Sequence, residues 1–255
     1  MITVIIPTFN EEIHISRVIK SARKLSDDIW ILDGGSSDNT ISIAKKMNVN
    51  IFESDLHFCS RIIHFQELKK YKYNWLFRLD ADETIDFELN SVINYLKEDV
   101  AIIEFKRFCF WKGKKIKYGG FQNQYVDRLW HSQRARMEIR LIDERLENLF
   151  LNKKVRLEHS INDMPIITFK KWWFKHRIYA LNEARNSLTY NVNDAVKDKK
   201  YYYYKLPPIL RSFIYFFKAF FLQKGFLDTH AWLFHFYRIL IYRVLIDLRI
   251  ILKKY

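Results

Sequence analysis

Asp80 and Asp82 stand two residues apart in the run WLFRLDADE, with Glu83 directly after them. Four residues of strand character, Trp75 to Arg78, lead into the acids. A strand alternates its faces, so carboxylates at i and i+2 point the same way if the extended form persists. Two carboxylates converging at a buried strand end repel each other unless positive charge lies between them. Hard oxygen ligands suit Mg²⁺ or Mn²⁺, so a divalent cation holding a diphosphate is the chemistry this pair suggests. An acidic turn before a helix carries the same three letters, so the rest of the chain has to decide.

The elements that position this pair read as alternating strands and helices. Thr3–Pro7 is a β-branched strand. Asn10 is placed to cap a helix, with Glu11 and Glu12 in its first turn. Ile15, Val18, Ile19, Ala22 and Leu25 then share one helical face. Strands follow at Ile29–Asp33, Val49–Glu53 and Trp75–Leu79, and helices at Ile41–Met47 and about Phe58–Lys70. Such alternation predicts a parallel, doubly wound α/β sheet. Ligands in these sheets lie beyond the carboxyl ends of the strands. Three polar loops fall there, namely Thr8–Glu12, Asp33–Asp38 and Asp80–Glu83. Further on, Ala101–Trp111 reads as a strand, Lys112–Gly120 as a turn region, and Arg128–Trp130 and Arg134–Met137 as short strands.

Charge is unevenly placed along the 255 residues. Residues 1–150 carry 23 Lys and Arg against 22 Asp and Glu, whereas residues 151–255 carry 20 against 7. The second part therefore holds nearly all of the net +14 and attracts polyanions. Nucleic acid is set aside as the partner, because no recognition helix, RNA-binding sheet or zinc finger can be read in the chain. An anionic membrane fits better. In LPPILRSFIYFFKAFFL (206–222), a helix would place Arg211, Tyr215 and Lys218 on one stripe and phenylalanines on most of the rest, as in interfacial helices. The alternative is packing on the preceding domain with Arg211 and Lys218 snorkelling. Ala231–Tyr255 reads as a longer apolar helix with scattered charges. Two isolated cysteines, Cys59 and Cys109, give neither a disulfide framework nor a zinc spacing, which points to a reducing compartment. The opening MITVIIPTFNEE has no basic start and no long apolar stretch, so no signal peptide is expected. The expected organisation is a catalytic domain over residues 1–205 and a basic aromatic helical tail over 206–255.

VIIPTFNEE, ILDGGSSDNT and LDADE, in that order and at those separations, resemble the signature loops of family 2 glycosyltransferases. RLWHSQRARM with IDERL, LEHSINDM, and KGFLD at 224–228 are similar to the branch that builds bacterial lipopolysaccharide core and other surface glycans. The resemblance implies a GT-A fold: a Rossmann-like nucleotide-binding sheet with an acceptor-side extension, followed here by the helical tail. It implies a metal-dependent, inverting transfer of sugar from a nucleotide donor, most naturally a UDP-sugar, with Mg²⁺ or Mn²⁺. Thr8, Asn10, Glu12 and Ser36 would line the nucleotide site. Asp33 would accept a hydrogen bond from the base, its alternative role being to cap the turn that follows it. Asp80 would contact ribose or metal, and Asp82 would be the direct metal ligand. Arg61 would lie near the nucleotide, or else on a solvated helix face. Glu144 of IDERL would be the catalytic base, with Asp143 the other candidate and an ion pair to Arg140 or Arg145 the bland reading of Glu144. His159 would join the metal site only if it follows some GT-A enzymes.

The expected acceptor is a membrane-anchored glycan or glycolipid, and the expected location is the cytoplasmic face of the inner membrane, held peripherally. Self-association through the C-terminal helices is a further expectation. Two rivals stand beside this reading. A polyprenyl-phosphate glycosyltransferase has similar sheet loops and needs no deprotonating base. A non-catalytic nucleotide- or sugar-binding module would have little use for Asp80, Asp82 and Glu144 together.

Overall fold

The computed structural model describes residues 1–138, 145–150, 152–166, 169–188 and 206–252. These fall into two compact units. Residues 1–113, 123–138, 145–150 and 152–166 make the first, and 114–122, 169–188 and 206–252 make the second.

The first unit opens with β1 (Ile2–Thr8), α1 (Ile15–Ala22), β2 (Ile29–Asp33), α2 (Thr40–Lys46), β3 (Asn50–Glu53), α3 (Phe58–Leu68) and β4 (Trp75–Arg78). β1 is buried along its whole length, as a strand covered on both faces must be. Its alternation divides the core. Val4 and Ile6 pack with Ile15, Val18, Ile19 and Ala22 of α1, while Ile5 packs with Cys59, Ile62 and Phe65 of α3. The five apolar residues expected to share a face, through Leu25, are all buried. Helix α1 begins later than the sequence suggests. Asn10 adopts a left-handed backbone (φ 57°) instead of capping it, and the carbonyl of Glu11 accepts the amides of His14 and Ile15.

The chain continues through β5 (Glu83–Ile85), α4 (Leu89–Val92), β6 (Val100–Trp111), β7 (Lys114–Lys115, in the second unit), β8 (Gln124–His131), β9 (Ala135–Met137), β10 (Leu146–Asn148) and β11 (Lys153–Asp163). The main sheet runs β3-β2-β1-β4-β8-β6-β11-β5, and β9 pairs separately with β10. Only β3, β2, β1 and β4 form the expected parallel, doubly wound part. β8 is antiparallel to both β4 and β6, β11 is parallel to β6, and β5 is antiparallel to β11. Parallel neighbours need long crossovers, and the helices between β4 and β6 are just the four-residue α4 and a three-residue 3₁₀ turn at Ile93–Tyr95. The order also locates the crevice. The chain leaves β1 toward β2 on one side and returns to β4 on the other, so the strand order reverses there, and that is where open α/β sheets bind ligands.

The second unit is helical. It contains α5 (Phe169–Leu188), α6 (Leu210–Phe217) running into a π-helix at Lys218–Leu222, short 3₁₀ turns, α7 (Trp232–His235), a second π-helix at Phe236–Ile241, and α8 (Tyr242–Ile251). Ala180 and Ala184 of α5 pack against Ile246 of α8, and the Tyr242 hydroxyl donates to Glu183 at 2.8 Å. The expected basic stripe is not presented as such. Arg211 is buried and ion-paired with Asp247, which also accepts from the Ile209 amide (2.8 Å) and the Ser212 hydroxyl (2.6 Å). A buried guanidinium requires such a partner, and Asp247, on a later helix, is not visible to a helical-wheel reading of 206–222. Among the described residues no helix is long and apolar enough to cross a membrane.

Candidate active site

The β1–α1 and β2–α2 loops are laced together at the carboxyl edge of the sheet. The Asn10 amide donates to Ser36 Oγ at 2.9 Å, and the Ser37 amide donates back to Asn10 Oδ1 at 2.8 Å. The left-handed turn at Asn10 makes this exchange possible, and Asn is among the few side chains that adopt it readily. Glu11 and Glu12 donate their amides to Thr40 and Asp38, and Glu12 Oε2 accepts both the amide and the side chain of Asn39.

Asp33 lies at the centre of this lattice. Its carboxylate accepts from the Thr8 hydroxyl (3.0 Å), the Gly35 amide (2.9 Å), the Ser36 amide (2.7 Å) and the Ser36 hydroxyl (2.5 Å). Both oxygens are engaged by its own loop, and the residue is 1% exposed. The capping role is therefore fully expressed.

Arg61 is neither on a solvated face nor free to reach outward. It is buried, and its guanidinium donates to the carbonyls of Thr8 (3.2 Å), Leu32 (3.0 Å) and Leu56 (3.1 Å). Burial lowers its pKa, with Asp33 opposing. One group thus ties the ends of β1 and β2 to the segment before α3. It also explains Gly34, since a Cβ there would meet Arg61 Nη2 at 2.3 Å.

The acidic loop departs from the geometry its spacing suggests. β4 ends at Arg78, and the Glu83 amide bonds the Asp80 carbonyl, so Asp80–Asp82 is a turn and not an extended pair. Asp80 Oδ1 accepts from Arg78 Nε at 2.8 Å, and Oδ2 from Arg78 Nη2 at 3.0 Å and Arg128 Nη2 at 2.8 Å. Burial opposes ionisation of Asp80, yet Arg128 and Arg78 prevail and hold it well below the usual carboxylate range. Glu83 is fully buried, 2.6 Å from Arg128 and 3.6 Å from Arg107, and burial pushes its carboxyl up against the pull of Arg128. Arg107 pairs in turn with Asp163 at 2.5 Å. Three arginines and three carboxylates so form one network that joins β4, β5, β6, β8 and β11.

Asp82 is only partly buried. Arg17 Nη2 donates to the Asp82 carbonyl (3.2 Å) and to that of Met164 (2.7 Å), and His14 Nε2 accepts the Ile166 amide at 2.9 Å. Residues 164–166 are thereby tied to both the β1–α1 loop and the acidic turn. Among the described residues no three His, Cys, Asp or Glu side chains gather as a complete metal cage. The donor set fits a cation held by few protein ligands. Mg²⁺ typically takes one or two carboxylates and fills its shell with phosphate oxygens and water, which Asp82 can support while Asp80 stays with its arginines.

The model of glycosyl transferase family 2 matches residues 3–155, the span that carries these loops. The chain belongs to glycosyltransferase family 2. It is 24% identical over 193 residues to an uncharacterized glycosyltransferase of Rickettsia bellii, covering 72% of this chain and 58% of that protein. It is 24% identical over 246 residues to a second, from Rickettsia conorii, covering 88% of this chain and 80% of that one. The chain thus spans little more than half of the first relative's length. Among solved structures, a mannosyltransferase from Pyrobaculum calidifontis in complex with GDP-Man and Mn²⁺ matches all of this chain and 88% of its own, with TM-score 0.54 and 10% identity. At that identity the match shows the shared GT-A fold.

The site residues named from the sequence therefore divide. Thr8, Asn10, Glu12, Asp33, Ser36 and Arg61 meet in one loop lattice. Asp80 joins the arginine network, and Asp82 stands partly exposed beside it. Glu144 and Asp143 lie outside the described residues. His159 of β11 packs against the Phe87 ring at 5.4 Å. Arg78, Arg107 and Arg128 join the site through the tertiary structure. Arg78 had a signal in its i, i+2 spacing to Asp80, whereas Arg128 had none, being 48 residues away.

Proposed function

We propose that this family 2 enzyme is an inverting, metal-dependent transferase. It moves one sugar from a nucleotide-sugar donor to a glycan or glycolipid acceptor in bacterial lipopolysaccharide or surface polysaccharide synthesis. The observation that carries the reading is the topology of the site. The β1–α1 lattice and the acidic turn after β4 flank the point where the strand order reverses. Mg²⁺ or Mn²⁺ held by Asp82 would supply charge compensation for the departing diphosphate. The lattice through Asp33, Ser36 and Arg61 presents the nucleotide loops in one rigid arrangement, so that little order is lost on binding. Asp80, held ionised by Arg78 and Arg128, would steady the turn that carries Asp82.

Transfer is one displacement. The acceptor oxygen bonds to the anomeric carbon as its bond to the diphosphate breaks, the configuration inverts, and the acceptor proton passes to Glu144. The uridine assignment rests on the resemblance alone, because the Asp33 carboxylate is engaged within its loop. The mannosyltransferase of the same fold holds GDP-Man, so guanosine donors belong in any test. Membrane-anchored acceptors and a peripheral position on the inner membrane's cytoplasmic face are part of the same proposal.

The test is thermal stabilisation by UDP or GDP, each with and without Mn²⁺, followed by release of that nucleotide from its sugar donors. Stabilisation that needs metal and disappears in Asp82→Ala is expected. Equal stabilisation with EDTA present would remove the metal from the reading.

A further inference from the structure

The second unit presents an apolar surface that is assembled from two successive helical segments. Phe217 is 55% exposed, Leu222 70%, Trp232 52% and Leu233 57%. The rings connect them: Phe217 lies 4.8 Å from Phe221, Phe221 5.2 Å from Phe220, and Phe220 6.2 Å from Trp232. Trp232 donates its indole N–H to the Phe226 carbonyl at 2.7 Å. Its polar atom is therefore satisfied from within, and the exposed ring can leave water without stranding a donor.

Among the described residues of 206–252, the charges around this surface are of one sign. Residues 206–252 contain two acids, Asp228 and Asp247, and both are buried. Asp228 accepts the Lys117 and Tyr118 amides, and Asp247 takes Arg211. Lys218 and Lys224 are exposed beside the aromatic residues. Exposed phenylalanine, leucine and tryptophan with basic neighbours and no presented acid match the boundary of an anionic bilayer, where aromatic groups enter the acyl edge and ammonium groups meet phosphate. A second copy of the chain fits less well, since it would bring the same positive charges into a shared interface.

We infer that the surface formed by Phe217, Phe221, Leu222, Trp232 and Leu233, flanked by Lys218 and Lys224, docks on anionic lipid bilayers. This differs from a stripe through Arg211; it rests on the peripheral membrane position proposed above and not on the transfer reaction, so vesicle binding and nucleotide release can fail separately.

The experiment is sedimentation of the full chain with phosphatidylcholine vesicles, with and without phosphatidylglycerol. The wild type should sediment with the anionic vesicles, lose much of that binding in high salt, and retain a residual part. Lys218→Glu with Lys224→Glu should weaken anionic binding by about thirtyfold or more, from roughly fivefold per lysine near the surface. Phe217→Ser with Phe221→Ser should remove the salt-resistant part. Should the aromatic variant fail to fold, the lysine variant still decides, because both of its positions are exposed. Absence of wild-type binding, or wild-type binding by the lysine variant, overturns the inference. So does a concentration-dependent dimer that the aromatic changes dissolve and that ignores vesicles, which would assign the surface to a second copy.

Discussion

Arg128 Nη2 lies 2.8 Å from Asp80 Oδ2 and 2.6 Å from Glu83 Oε1, joining both acids of the turn after β4 to the antiparallel strand β8. The first aspartate of the Asp-x-Asp pair is thereby held by arginines, and the second, partly buried, follows it in the same turn. Arg128→Met should destabilise the fold by about 3–5 kcal/mol, the scale for removing one partner of a buried pair. Adding Glu83→Gln should restore part of that loss. Urea unfolding of the single and double variants measures the coupling, and strict additivity would mean that the two groups do not interact.

Asp80 and Asp82 should separate in the same way. Asp82→Ala is expected to abolish transfer and metal-dependent nucleotide binding while leaving the melting temperature nearly unchanged. Asp80→Ala takes one partner from each of the buried Arg78 and Arg128, leaving Arg128 with Glu83, and should lower stability by about 1–3 kcal/mol. Melting curves read beside a nucleotide-release assay distinguish the two. Comparable melting points for both variants would show that the arginines do not depend on Asp80.

Gly34 and Arg61 form a steric pair. With a Cβ placed 2.3 Å from the Arg61 guanidinium, Gly34→Ala should cost about 1–3 kcal/mol through overpacking and weaken nucleotide binding. Combined with Arg61→Met, the added methyl meets a slimmer side chain. The alanine should then cost less than in the wild-type background, as read by a double-mutant cycle.

Glu144→Gln is expected to lower turnover about a hundredfold or more with little change in donor affinity, the scale of general-base catalysis. Asp143→Asn should be milder. Steady-state kinetics with both variants decides, and the reverse order would transfer the role to Asp143. Full activity of Glu144→Gln would favour an acceptor phosphate over a hydroxyl.

His131, at the end of β8, is buried against Trp75, and burial together with Arg134 pushes its pKa down from 6.5 to about 4. Its folded form is the neutral one, so its contribution is fully present above pH 6.5. That contribution is lost as pH falls through the window toward 4, because the unfolded chain takes up the proton first. Loss of the Asp80 ion pairs begins only lower, since that carboxyl is held below its ordinary range. His131→Gln should therefore flatten the unfolding free energy between those two values. An unchanged pH profile would show that another group sets it.

Local pattern determined much of this protein. Ile15, Val18, Ile19 and Ala22 recur at the helical period and all face the core, and β1 reads as a strand because its β-branched run can be covered on both sides. The three polar loops at the carboxyl edge, and hence the position of the crevice, follow from the order of those elements, while the family follows from the likeness of those loops to known signature sequences. Tertiary structure decided which partner each charge takes. Asp80 meets Arg128 from 48 residues away and Arg211 meets Asp247 from 36, because strand order and helix packing bring them together. It also decided that the sheet turns mixed beyond β4, that Asn10 leaves the helix to bind Ser37, and that Arg61 points inward. Periodicity reports which face of an element is buried. It cannot report which distant group lies opposite, and a buried charge is settled only by that group.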